Sequence, residues 1–230
     1  MGVLLLVRHG QASLGAANYD QLSELGHRQA RETGARLARA DLVIDRVTCG
    51  ALERQQDTAA AVMAMMPDTA PGSGPDVDDR LDEYDHVGVL AGLFGADTPA
   101  VSAGGAMPAG SNRMFQPALD EAIARWATAE SATADTGYRE SHGAFIDRVL
   151  AVMGDLTGAP GCTLAVTSGG VIAVACAQVL GLPTDRWPML ARIIVNGSVT
   201  KIISGRTGTN LLTFNDYAHL EGDRSLVTYR

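Results

Sequence analysis

Lysine is almost missing from this chain: Lys201 stands alone, and every other basic residue is an arginine. The 18 basic residues are outnumbered by 26 acidic ones, for a formal charge of −8. Without a basic stripe nothing can neutralise a nucleic-acid backbone, which excludes DNA and RNA as partners. The alanine and glycine load points to GC-rich coding as the cause of the arginine bias. Any anion site must nevertheless be built from guanidinium forks, the better planar match for phosphate.

Cysteine is equally scarce. Cys49, Cys162 and Cys176 form no CxxC pair and no even-numbered framework, so a reduced, cytoplasmic protein is expected. No apolar run approaches the roughly 18 residues of a membrane helix, and the Val171–Leu182 run reads as a core helix. Val3–Val7 is too short for a signal peptide and has no cleavage site after it. Asn196-Gly197-Ser198 matches a glycosylation acceptor, which carries no meaning without secretion. The five histidines show no ligand spacing, so neither metal nor cofactor is expected. Internal repeats are absent.

What remains is ample material for a core. Apolar residues make up 46 % of 230 positions, which suits one generous α/β domain spanning residues 1–230. Val3–Val7 reads as a strand buried on both faces. A polar loop follows from Arg8 to Asp20, and Ser23 then caps a helix that runs to about Ala40. Leu42–Val47 reads as a strand and Leu52–Met66 as a helix, before the Pro/Gly/Ser break at Pro67–Pro75. The segment at about 85–137 contains two runs of small residues, Ser102–Ser111 and Glu130–Gly137. Between them Met114, Leu119, Ile123 and Trp126 suggest a helix, and the whole reads as a cap or lid insertion. Further on, Phe145–Leu156 is expected to be a helix, Cys162–Thr167 a strand and Gly170–Leu180 a helix. Arg192–Asn196, Ser198–Ile203 and Asn210–Phe214 are expected as closing strands. Alternating strands and helices predict a three-layer α/β/α sandwich with a mostly parallel central sheet.

The chemistry-bearing residues lie at the ends of these elements. Val7-Arg8-His9-Gly10 closes the first strand, where open α/β sheets bind ligands. Arg54 falls in the first turn of the second helix, where backbone N–H groups and the dipole favour an anion. Glu83, in Leu81-Asp82-Glu83, follows a third short strand and offers a carboxyl for proton transfer. Taken singly, each reads more readily as a plain loop or surface residue.

Together they resemble the histidine phosphatase (phosphoglycerate mutase-like) superfamily over nearly the whole chain. The opening LVRHGQAS is similar to that family's nucleophile signature. Asp20-Gln21-Leu22-Ser23 with Gly26 and Gln29-Ala30 resembles its helix entry. Leu52-x-Arg54-x-x-x-Thr58-Ala59 resembles its second phosphate arginine, and Leu81-x-Glu83 its acid. Glu140-Ser141 with Arg148, and Asn215…His219-Leu220, resemble later segments.

The resemblance implies a phosphoglycerate mutase-like fold and a two-step phosphoryl transfer on a small phosphorylated substrate. His9 would attack phosphorus, Arg8 and Arg54 would hold the equatorial oxygens, and Glu83 would serve as acid and then base. One departure stands out. Where the family carries a second histidine in a His-Gly turn, this chain has Ser168-Gly169, whose hydroxyl and helix N-terminus offer a phosphate weaker donors. His142, ahead of His86, is a candidate replacement. Gly15 stands where some mutases carry a phosphate-contacting Asn, which weakens the mutase variant. A mutase would also need a bisphosphate primer. The alternative from another class is a phospho-ligand-binding protein with impaired turnover. A third reading makes Ser168 a hydrolase nucleophile, against which Val166 fills the place of a needed glycine. Otherwise Ser168 reads as a partial N-cap. Oligomeric state is open, with a homodimer as one option.

Overall fold

Residue alternation along the first strand decides which face each helix covers. A computed structural model describes residues 1–13, 18–40, 42–95, 112–129 and 138–229, with the backbone alone at 112–116 and 184. Strand β1 (Gly2–Arg8) is central and pairs in parallel with β4 (Gly161–Thr167), Val7 lying opposite Val166. On its other side β1 pairs antiparallel with β5 (Val199–Gly205), which continues antiparallel into β6 (Gly208–Asp216). Strands β2 (Arg46–Cys49) and β3 (Asp76–Val77) extend the parallel half, giving the order β3-β2-β4-β1-β5-β6. Among the described strands, only β5 runs against the others.

Leu5 and Val7 of β1 point the same way as Val47 and Cys49 of β2 and as Leu164 and Val166 of β4. They pack on Ala30 and Leu37 of α1 (Glu24–Ala38) and on Ala59 and Val62 of α2 (Glu53–Ala64). Their alternate neighbours Leu4 and Leu6 are buried on the opposite face. There α6 (Gly169–Val179), whose first nine residues are all buried, lies against the sheet. Apolar residues all round are what a helix enclosed by its own protein needs. The result is a three-layer α/β/α sandwich around a mixed, mostly parallel sheet. Helix α7 (Trp187–Ala191) follows α6.

The chain divides into two compact units: Met1–Asp82 with Val149–Arg230, and Glu83–Arg148. The second contains α3 (His86–Phe94), α4 (Asn112–Thr128) and the first turns of α5 (His142–Gly158). Its centre is aromatic: the Tyr84 and Phe145 rings meet edge to face at 5.6 Å, and His142 stands edge-on to Trp126 at 5.1 Å. The Trp126 indole N–H donates to Glu140 O at 3.0 Å, and Arg148 grips the Glu140 carboxylate with two bonds of 2.9 and 2.8 Å. The small-residue runs at 102–111 and 130–137 lie outside the described residues.

Two strand expectations need correction. The second strand begins at Arg46, not Leu42, because Ile44 N–H donates to Thr69 O and Asp45 N–H to Cys162 O, outside any ladder. Arg192–Asn196 forms no strand. Its backbone is taken up elsewhere: Val195 N–H goes to Asn215 Oδ1, Asn196 N–H to Thr228 O, and Ile194 O to Arg8. Asn215 accordingly adopts φ 54, a left-handed conformation that Asn tolerates better than most residues.

The expected ending motif supplies a pH-sensitive contact. His219 Nε2 meets Gly197 O at 3.1 Å, while its Nδ1 is buried without a hydrogen bond among the described residues. Burial, and then the Arg36 charge, push its pKa down to about 4. The unfolded chain takes up this proton near 6.5, so stability present above that pH is withdrawn as pH falls toward 4. His219→Gln should flatten this loss. Unfolding free energies from urea titrations at pH 7 and 4.5 should differ less in the variant, by about 1–3 kcal/mol.

Candidate active site

His9 lies one residue beyond β1, and its backbone is held on both sides. His9 N–H donates to Thr167 O at 2.9 Å, and the buried Asn196 side chain donates to His9 O at 3.0 Å. The ring is held too. Its Nδ1 lies 2.7 Å from Gly10 O, a carbonyl that can only accept, so the proton sits on Nδ1. Nε2 therefore carries the lone pair, and Arg54 Nε donates to it at 3.2 Å. His9 as a whole is 6 % exposed. Burial first, then the Arg54 and Arg8 charges, hold its pKa well below 6.5, against the opposing bond to Gly10. At neutral pH the imidazole is uncharged.

Arg54 owes its aim to α2. Its guanidinium pairs with the Asp20 carboxylate, whose second oxygen caps Glu53 N–H at 2.8 Å. One turn later, Thr58 Oγ1 donates to Arg54 O at 2.7 Å and accepts Gly10 N–H at 3.0 Å. The loop can approach this closely because Gly10 and Gly26 lie against each other. A Cβ on Gly10 would stand 2.4 Å from Gly26 O, and one on Gly26 2.2 Å from Gln11 O.

Arg8 reaches the opposite way. It bonds Ile194 O and, at 3.0 Å, Tyr229 O, and its guanidinium lies beside Gly169, where an added Cβ would stand 3.6 Å from Arg8 Nε. Gly169 opens α6, so the first N–H groups of that helix and the Arg8 charge share one corner. Ser168 occupies the N-cap position, yet its side chain makes no capping bond. Its Oγ instead accepts from Gln55 Nε2 at 2.9 Å, and the residue is wholly buried. An amide N–H takes no proton, so the arrangement gives Ser168 no general base, and the nucleophile reading loses its chemistry.

Five of the six residues singled out in the sequence thus come together in the sheet-bearing unit: Arg8, His9, Arg54, Ser168 and Gly169. Glu83 begins the other unit, where its carboxylate accepts Tyr84 N–H at 3.3 Å. His86 and His142 also belong to that unit, and Gly15 lies outside the described residues. No His/Cys/Asp/Glu cluster able to hold a metal ion occurs among the described residues. None of the described helices is long and apolar enough to cross a membrane.

Sequence reasoning gave no role to four of the residues that hold this site. Asp20 and Thr58 were visible only as letters of the family pattern. Asn196 was hidden under an irrelevant glycosylation triplet, and Gln55 carried no signal of its own.

Known proteins resemble this chain in sequence and in fold. The sequence fits the histidine phosphatase superfamily (branch 1) over residues 4–100 and 110–217. It is 29 % identical over 202 residues to a glucosyl-3-phosphoglycerate phosphatase from Mycolicibacterium vanbaalenii, covering 81 % of this chain and 78 % of that protein. In fold it is similar to a mycobacterial glucosyl-3-phosphoglycerate phosphatase, with a TM-score of 0.63 and 22 % identity over 94 % of this chain and 99 % of the other. It is likewise similar to a phosphoserine phosphatase from Entamoeba histolytica, with a TM-score of 0.62 and 16 % identity over 96 % and 100 %. With the two matched segments together reaching from β1 to the end of β6, and the first carrying His9 and Arg54, the chain belongs to the histidine phosphatase superfamily, branch 1.

Proposed function

We propose that this protein is a phosphomonoester hydrolase that works through a phosphohistidine on His9. The observation that carries the reading is the tautomer: Nδ1–H is held by Gly10 O, and the Nε2 lone pair faces the Arg54 guanidinium. A neutral imidazole with its lone pair toward a cation is a nucleophile beside the site for its own anionic substrate. When a phosphate enters, Arg54 exchanges its bond to Nε2 for one to a phosphoryl oxygen, and Nε2 is released toward phosphorus. The N–P bond forms as the ester P–O bond breaks, and Glu83 protonates the departing oxygen. Glu83 then takes a proton from water, whose oxygen attacks phosphorus, breaks the N–P bond and frees inorganic phosphate. Arg8 and the Gly169 N–H carry charge on the equatorial oxygens, and the Ser168 hydroxyl adds a donor where the family has a second histidine. No step calls for a cofactor. The 85–137 segment serves as the cap that selects the substrate in a cytoplasmic setting.

Family membership supports a phosphatase-like enzymatic role. The name of the 29 %-identical relative makes glucosyl-3-phosphoglycerate a substrate to try beside p-nitrophenyl phosphate. Rapid acid-free quenching during turnover, followed by mass spectrometry, is expected to find one phosphoryl group on His9. Turnover with an unmodified His9 would overturn the covalent route.

The second reading, a phospho-ligand-binding protein with little turnover, is favoured by the burial of Ser168, a hydroxyl standing where an imidazolium would be stronger. Loss of one preorganised donor costs about 10²–10³ in rate. Tight phosphate binding with no trapped phosphohistidine would select this reading.

A further inference from the structure

Gln55 lies inside the sheet-bearing unit with no exposed surface, and its amide joins three chain segments. Nε2 donates to Leu81 O at 3.1 Å and to Ser168 Oγ at 2.9 Å, while Oε1 faces Leu52 N–H at 3.4 Å. The amide orientation is not arbitrary. A carbonyl oxygen only accepts, so the atom facing Leu81 O must be the NH₂ group. Gln55 is therefore a donor toward Ser168, and Ser168 Oγ is the acceptor. The same Leu81 O also takes a bond from Thr167 Oγ1 at 2.5 Å, which fixes the far side of the junction. Gly50 leaves the room: a Cβ there would stand 1.9 Å from Gln55 Oε1.

The consequence falls on the serine proton. A hydroxyl has one proton to give and two lone pairs to receive. Among the described residues, the partner of Ser168 Oγ is a donor, so the proton is not spent on Gln55. A wholly buried O–H at the mouth of α6, beside the Arg8 guanidinium at Gly169, is thus kept for an acceptor. An incoming phosphoryl oxygen is such an acceptor.

We infer that Gln55 is a positioning residue: by donating to one lone pair of Ser168 Oγ, it orients that hydroxyl and leaves its single proton for the phosphoryl group. The inference rests on the anion site proposed above and adds a residue that acts on the substrate only through Ser168. With an apolar side chain at 55, the hydroxyl is no longer oriented, and its proton turns to a backbone carbonyl. Gln55→Met and Ser168→Ala then remove the same hydrogen bond.

The test is a double-mutant cycle on the full chain, with inorganic phosphate and orthovanadate binding read by calorimetry. Gln55→Met and Ser168→Ala should each weaken binding about 10- to 100-fold, as loss of one hydrogen bond to a charged group does. The double variant should bind no more weakly than either single one. Gln55→Leu serves in place of a methionine variant that does not fold, and thermal melting checks every protein. Wild-type affinity in the Gln55 variant, or losses that multiply in the double variant, overturn the inference while leaving the anion site standing. A wild-type protein that binds neither ion brings down the anion site as well.

Discussion

Replacing His9 with alanine is expected to lower phosphate release from p-nitrophenyl phosphate by about 10⁴-fold or more, the scale on which loss of a nucleophile is felt. The nitrogen that bonds phosphorus disappears, and no other group among the described residues shares its placement against Arg54. Alanine leaves the backbone bonds to Thr167 O and from Asn196 in place, so the fold should persist. Circular dichroism and melting would check that it does. Equal rates in the two proteins would remove His9 from the chemistry. The wild-type pH profile supplies a second view. Because the folded ring has its pKa held well below 6.5, activity should persist below that pH and fall only where the buried ring is finally protonated. The unfolded chain binds that proton at higher pH. Stability contributed above 6.5 is therefore eroded as pH drops, and the acid limb must be measured only where the protein is still folded.

Arg54→Ala should reduce kcat/KM by about 10²–10³-fold, since a preorganised cation at the transferring phosphoryl group is lost. It should also move the acid limb upward toward 6.5, because the Arg54 charge is the second largest cause holding the His9 pKa down. A residue that merely braced the fold would not shift that limb. Arg54→Lys should restore part of the limb's position but little of the rate. An ammonium donates from one nitrogen and does not reproduce the span by which the planar fork reaches His9 through Nε and Asp20 through Nη1. Removing the guanidinium leaves Asp20 without its ion pair. That carboxylate is 30 % exposed and still caps Glu53 N–H, so the stability cost should stay near about 1 kcal/mol. A pH–rate series on all three proteins checks the whole set, and an unmoved acid limb in Arg54→Ala would count against the proposed pairing.

Apolar pattern and loop chemistry carried much of this molecule before any coordinates. Continuous apolar runs marked β1 and β4 because a central parallel strand is buried on both faces. The α1 and α2 stripes were legible because each of those helices buries one face. The position of His9 followed from the rule that open sheets bind ligands past their strand ends. Periodicity could not locate Arg192–Asn196, whose apolar residues sit in a loop tied down by Arg8, Asn215 and Thr228. Those partners are 20 or more residues away in sequence. The start of β2 was misplaced for the same reason, since Ile44 and Asp45 bond outside the ladder.

By itself, then, the amino-acid order determined the layered α/β class, the family pattern and the residue types suited to hold a phosphate. Local propensity and burial pattern are written into nearest neighbours, so they survive without a third dimension. Only the folded chain decided which nitrogen of His9 bears its proton, that Asp20 and Thr58 aim Arg54, and that Gln55 orients the Ser168 hydroxyl. The first rests on how the backbone turns the Gly10 carbonyl toward the ring, and the others on hydrogen bonds between residues dozens of positions apart, neither of which linear order encodes.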